Sequence, residues 1–237
     1  MKVSAIIPAA GLGLRMGSDT PKQFLLLDDR PVLHHTLTVF DQCSQVDEIV
    51  LVVSEKEVDQ TAEQYRKSFP KVVRVVAGGK ERQDSVYNGF HTLGPDTDMV
   101  IVHDGVRPFV TGALLRDSIR AAGEFGGAIA AIPVSDTLKK VDAQGLVERT
   151  LDRNGLWRVQ TPQTFRYALL KEAFAKVKAD GYYGTDEGAL IEHLGKAVKI
   201  IQGSELNIKI TQAEDLILGE KIAALIKING SGSQALS

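Results

Sequence analysis

The chain is poor in cysteine, in aromatic residues and in any surplus of one charge. Cys43 is the single cysteine among 237 residues, which excludes an intramolecular disulfide or a multi-cysteine metal cluster and suits a reducing compartment. It reads as a buried, inert thiol. Basic side chains number 28 against 30 acidic ones, a formal charge of -2. No overall positive field exists to hold a nucleic acid, so any anion site must be local. No apolar run approaches the roughly 20 residues that cross a bilayer. The opening "MKVSAIIPAA" imitates a signal peptide, but Pro8 and Gly11 cut its apolar stretch short and Arg15 follows, so it reads as a first strand. These absences point to a cytoplasmic protein with neither a membrane nor a nucleic acid as partner.

What is present is a rhythm. Apolar, β-branched runs recur as "VSAII", "EIVLVV", "VVRVV", "MVIV" and "GAIAAIPV", continuous instead of alternating, as in strands covered on both faces. Helical patterns lie between them: one starting at Pro31, others over about 55–67, 81–93 and 111–124. Alternation of this kind predicts an α/β fold with a doubly wound, mainly parallel, Rossmann-like sheet. After Val134 the rhythm breaks. "DAQG" and "RNG" separate short segments holding Leu138, Val141, Leu146, Val147 and Leu151, which reads as a β-arm over 134–158 leaving the main body. So many apolar residues on a lone arm call for cover, and a second subunit is the expected source, with folding back onto its own domain as the alternative. Beyond it, helices are expected in "RYALLKEAFAKVKAD", "TDEGALIEHLG" and "AEDLILGEKIAALIKI", with short strands in "AVKIIQG" and "NIKI". One domain over 1–228 and a loose Gly/Ser-rich tail over 229–237 complete the expectation.

The stretch "PAAGLGLRMGSDTPKQF" follows the first strand with three glycines, Arg15 and Lys22. A phosphate-binding loop of the Walker type needs lysine directly after its last glycine, yet Ser18 follows Gly17. A dinucleotide fingerprint needs Gly-x-Gly-x-x-Gly and an acidic residue about 20 positions on. Gly11, Gly13 and Gly17 leave one residue too many, and the next strand ends far too late. A long loop remains, whose glycines let successive N–H groups turn toward one anion while two cations add charge and directed donors.

With the further blocks "GGKERQDSVYNGF", "VHDGVRPF", "PVSDTLKKV", "DRNGLWRVQTPQTF", "TDEGALIE" and "NIKIT" in this order, the chain resembles the 2-C-methyl-D-erythritol 4-phosphate cytidylyltransferases from about Val3 to the closing helix. That resemblance implies transfer from CTP to the polyol phosphate with release of pyrophosphate, with Mg2+ as cofactor, in a homodimer joined through the arm. It implies that Arg15 and Lys22 stabilise the transition state. It assigns Arg153, Lys209, Arg107, Thr137 and Thr161 to the polyol phosphate, some contacts coming from the neighbouring subunit. Ala10, Gly11 and Gly13 would hold the nucleotide's phosphates, and Gly79, Lys80 and Ser85 would lie near cytosine. Asp104, at the end of a buried strand, would either hold the metal or accept bonds from the acceptor's hydroxyls. The family often has alanines where this chain has Gly105 and Val106.

Ribitol 5-phosphate cytidylyltransferases share the glycine loop and the "TPQ" block, but "DRNGLW" and "PVSDTLKK" fit the methylerythritol enzyme better. A CTP sensor without catalysis would lack one of the loop cations, and both are present. Other features read as structural. "DTD" at Asp96–Asp98 precedes a strand instead of following one and reads as a turn; His34 and His35 lack zinc-site spacing; Trp157 reads as a packing anchor at the base of the arm.

Overall fold

A computed structural model describes residues 1–11 and 20–233. The first strand, β1 (Val3–Pro8), is followed by a small hairpin of β2 (Leu26–Leu27) and β3 (Arg30–Pro31), whose turn holds Asp28 and Asp29 at positive φ. Helix α1 (Val32–Gln42) starts directly after Pro31 and buries Val32, Leu33, Leu37 and Phe40. Then come β4 (Glu48–Val53), α2 (Val58–Ser68), β5 (Val72–Ala77), α3 (Arg82–Phe90), β6 (Met99–Val102), α4 (Gly112–Phe125) and β7 (Gly127–Pro133). The apolar runs thus become strands and the stretches between them helices. Thr111 caps α4 by accepting the Leu114 N–H, and Gly126 closes it at φ +88°.

The chain next forms a two-stranded antiparallel arm, β8 (Leu138–Val141) with β9 (Val147–Leu151). It returns through β10 (Trp157–Arg166), α5 (Tyr167–Asp180), α6 (Glu187–His193), β11 (Lys199–Gln202) and α7 (Ala213–Ser233). Among the described residues the main sheet has seven strands in the order β11-β7-β10-β6-β1-β4-β5. Two clusters of buried apolar side chains cover its faces, one around Ile7, Leu37 and Leu115, the other around Ile6, Phe90 and Phe165.

Three expectations need correction. β10, which no apolar run announces, sits in the middle of the sheet, antiparallel to both β6 and β7, with a register shift between Val159 and Gln163. Much of its buried length is polar, with Gln160, Thr161, Gln163 and Thr164 enclosed beside Phe165. "NIKI" forms no strand: Asn207 turns its amide inward to the Thr161 carbonyl at 2.8 Å, its N–H closes a turn on Ser204 O, and Ile210 N–H bonds Val106 O. Finally, α7 runs to Ser233, into the stretch expected to be a tail. With no proline to stop it, an established helix propagates through glycines at about 1 kcal/mol each.

The arm itself appears where the turn residues put it, with Val141 50%, Leu146 68% and Val147 60% exposed. No helix of the described residues is long and apolar enough to cross a membrane.

Candidate functional site

The carboxyl ends of β1, β4, β5 and β6 open into a cleft of about 760 Å³. Open α/β sheets bind ligands at this edge because the chain leaves it in loops whose backbone groups are unpaired. Ala10 and Gly11 line the cleft on one side, with Lys22 from the short 3-10 turn that precedes the β2–β3 hairpin. The charge of Lys22 also reaches Asp215, whose carboxyl is pulled below its ordinary value. Burial opposes that shift, and bonds from Thr211 and Gln212 outweigh it. Arg15 and Gly13 lie outside the described residues.

Gly78, Gly79, Lys80 and Ser85 form the opposite lip. The Gly79 N–H donates to Ser85 Oγ at 3.0 Å, and that hydroxyl donates to Glu81 O at 3.1 Å. A Cβ on Gly78 would lie 2.5 Å from that of Ala10, and one on Gly79 would lie 2.3 Å from that of Asp84. Glycine at 78 lets that lip approach Ala10 this closely, and glycine at 79 lets its own lip fold back onto the first turn of α3. Reciprocal bonds between Glu81 and Asp84 fix the start of α3.

The floor is ionic. Asp104, 6% exposed, faces three cations: Arg82 Nε at 3.0 Å from Oδ1, and Lys209 Nζ at 2.9 Å and Arg107 Nε at 3.4 Å from Oδ2. Burial alone would favour the neutral acid, but these charges outweigh it and hold the carboxyl far below its ordinary range. Arg82 also grips Glu187, 1% exposed, through both terminal nitrogens at 2.8 to 3.1 Å. Burial pushes Glu187 up, and the forked contact with Arg82 works against that rise. Arg82, Asp104 and Lys209 also line a second cavity of about 250 Å³, together with Arg107, Thr161 and Thr185. The ionic floor is therefore the wall between two cavities.

Behind that wall, His103 is fully buried, and burial lowers its pKa to about 4. It is neutral, and its neighbours set the tautomer. Arg107 O can only accept, so Nε2–H donates to it at 3.2 Å, and Nδ1 accepts from the Thr161 hydroxyl at 3.0 Å. Thr161 Oγ1 in turn accepts the Asp104 N–H at 3.1 Å. The proton of that hydroxyl is committed, so Thr161 has no free donor to offer.

The sequence-expected residues thus divide. Lys209, Arg107, Thr161 and Asp104 converge on one point, and Ala10, Gly11, Lys22, Gly79, Lys80 and Ser85 ring the adjoining cleft. Thr137 and Arg153 do not join them: both are exposed at the arm, where the Arg153 guanidinium donates to Ser135 O. Asp104 does not fit a metal ligand, because both of its oxygens already face cations, and among the described residues no group of three or more His, Cys, Asp or Glu could hold an ion. Sequence reasoning missed Arg82, Glu187 and Gln23. Gln23 lines the cleft at 1% exposure, and neither end of its amide has a partner among the described residues.

The IspD family model, 2-C-methyl-D-erythritol 4-phosphate cytidylyltransferase, matches residues 3–224. This chain belongs to that family. It is 46% identical over 226 residues to the 2-C-methyl-D-erythritol 4-phosphate cytidylyltransferase of Geotalea uraniireducens, covering 93% of this chain and 96% of the relative. It is 47% identical over 221 residues to that of Syntrophus aciditrophicus, covering 92% and 94%. Among solved structures it resembles the 4-diphosphocytidyl-2C-methyl-D-erythritol synthase of Anaerococcus prevotii, with a TM-score of 0.83, 32% identity and coverage of 94% and 98%. The Thermus thermophilus cytidylyltransferase gives a TM-score of 0.79 at 32% identity, covering 94% of this chain and all of that one. Membership of the family makes the chain a nucleotidyltransferase.

Proposed function

We propose that the chain transfers the cytidylyl group of CTP to 2-C-methyl-D-erythritol 4-phosphate, releasing pyrophosphate and forming 4-diphosphocytidyl-2-C-methyl-D-erythritol for isoprenoid biosynthesis. The observation that carries this reading is the pair of cavities divided by one ionic wall, in a chain that matches the family over residues 3–224. The larger cavity suits the nucleotide and the smaller the polyol phosphate.

The chemistry asks little of acid–base catalysis. The second pKa of a phosphate monoester is about 6, so the nucleophilic oxygen is already ionised at neutral pH. The obstacle is repulsion between that anion and the triphosphate, followed by charge growing on the α-phosphoryl group and on departing pyrophosphate. Lys22, with Arg15, supplies positive charge at the nucleotide side. Lys209 and Arg107 draw the acceptor's phosphate, and Thr161, which has no free donor, accepts from a hydroxyl of the polyol. On the far lip, Ser85 Oγ retains one lone pair once its bonds to Gly79 and Glu81 are made. That lone pair suits the exocyclic amine of cytosine, which uracil lacks.

Mg2+ would be held chiefly by the triphosphate's own oxygens and water, the usual arrangement for this ion, and when bound neutralises part of that charge. Thr137 and Arg153 reach an acceptor only if the arm of a second copy lies over the cavity, so we infer a homodimer in the cytoplasm.

The test is pyrophosphate release with CTP and either methylerythritol phosphate or ribitol 5-phosphate. The first acceptor should turn over faster; faster turnover with ribitol 5-phosphate rejects the assignment. Lys22→Ala should lower turnover on the order of a hundredfold while leaving the circular dichroism spectrum unchanged. Near-normal turnover in that variant removes Lys22 from the proposed mechanism.

A further inference from the structure

We propose that Arg82, clamped by Glu187, is a positioning residue that aims the Asp104 carboxylate toward the acceptor cavity; the inference rests on the cytidylyltransferase reading above. Three observations meet here. Lys209 and Arg107 both bind Oδ2 of Asp104, whereas among the described residues only Arg82 binds Oδ1. Arg82 therefore fixes the rotation of the carboxyl group about its own bond, which two contacts to the same oxygen leave loose. Next, both terminal nitrogens of Arg82 are committed to Glu187. For Arg82 to swing toward a triphosphate it would have to leave a fully buried carboxylate unpaired, which is strongly unfavourable. It is thus held back from serving as a phosphate ligand.

The third observation is how the clamp is built. Residues 82–84, at the start of α3, are stitched to the segment before α6. The Gln83 amide donates to Tyr182 O at 3.2 Å and accepts from Gly184 N–H at 2.9 Å, and the Tyr183 hydroxyl donates to Asp84 Oδ1 at 3.0 Å. Asp186 caps α6 through the Ala189 N–H, so the helix presents Glu187 from a fixed first turn. The lip that carries Gly79 and Ser85, the carboxylate at the dividing wall and the loop beside the acceptor cavity are thereby one rigid unit. Arg82 is the joint between them. A salt bridge serving only the fold would stabilise the chain without favouring either substrate; a positioning residue acts on one.

Steady-state kinetics of the full-length protein separate these cases. Arg82→Lys keeps the charge but cannot fork to Glu187 while also holding Asp104. Glu187→Gln keeps the shape but sets an amide donor against a guanidinium donor. Misplacement of a reacting geometry by about an ångström can cost a hundredfold. For Arg82→Lys we therefore expect kcat/KM for methylerythritol phosphate to fall about a hundredfold, and about tenfold for Glu187→Gln, with the KM for CTP changed less than about twofold. Should Arg82→Lys fail to fold, Glu187→Gln carries the test, since one acceptor for Arg82 remains. Equal losses toward both substrates, or an unchanged acceptor kcat/KM in a folded variant, overturn the inference. A wild-type chain that turns over no methylerythritol phosphate overturns the functional reading itself and this inference with it.

Discussion

The dividing wall and the arm are opposite solutions to placing charge in a protein. At the wall, Asp104 and Glu187 are 6% and 1% exposed and share Arg82, Arg107 and Lys209 among them at 2.8 to 3.4 Å. On the arm, Lys140 and Glu148 pair at 2.5 Å with 55% and 39% of their side chains exposed, beside apolar residues in contact with water. The arm holds a pair that water screens and a face that needs cover; the wall holds charges that would be untenable singly and are complete within one chain. At the wall, low dielectric makes each cation count. What the arm contributes depends on what lies over it.

The largest effect should come from breaking the wall. Asp104→Asn leaves three cations facing one neutral amide, and loss of one partner of a buried ionic cluster typically costs about 3–5 kcal/mol. We expect a loss of that order in urea denaturation near pH 7. A midpoint equal to wild type would mean that water reaches the cluster and that wall and arm do not differ in kind.

How far the sequence reveals each region follows from chain distance. The parallel strands β1, β4 and β6 are legible because burial on both faces leaves a continuous apolar run, and Asp104 is legible because it follows such a run. β10 is not, since four of its buried residues, Gln160, Thr161, Gln163 and Thr164, are polar and read as a loop until their partners are known. Those partners are remote: Asn207 and Ser204 for Gln160, Asp186 for Gln163, Ser118 for Thr164. Arg82 fails for the same reason. In "GGKERQDSV" it is one charged residue among several, and its meaning comes from Asp104 and Glu187, 22 and 105 positions away. The arm is the reverse case. Its turns are local and legible, whereas the proposed cover of a second copy is something one chain's sequence does not describe.

A second effect sharpens the comparison through pH. His103 is buried and neutral with its pKa lowered from 6.5 to about 4, so the unfolded state takes up a proton that the folded state refuses. Its contribution is fully present above about 6.5 and is lost as pH falls toward 4. Asp104 carries a depressed pKa, so its contribution is present above about 4 and is lost only below that. Between pH 7 and pH 5, then, His103 should account for roughly 2 kcal/mol of lost stability. His103→Asn keeps an acceptor for the Thr161 hydroxyl and cannot titrate, so its urea midpoint should change much less between the two pH values. Parallel slopes for variant and wild type would assign the acid sensitivity elsewhere.

The smallest effect belongs to the arm's own charges. The pair of Lys140 and Glu148 spans the two strands of the hairpin in the open, where screening and the entropy of two long side chains leave exposed pairs worth under about 1 kcal/mol. Lys140→Ala should therefore move the thermal midpoint little, while Val147→Ser, which removes apolar surface that is 60% exposed, should weaken self-association in sedimentation at matched concentrations. The two variants together isolate what the arm is for. If Val147→Ser leaves sedimentation unchanged, the apolar face is not where a second copy docks, and the access of Thr137 and Arg153 to an acceptor loses its physical basis.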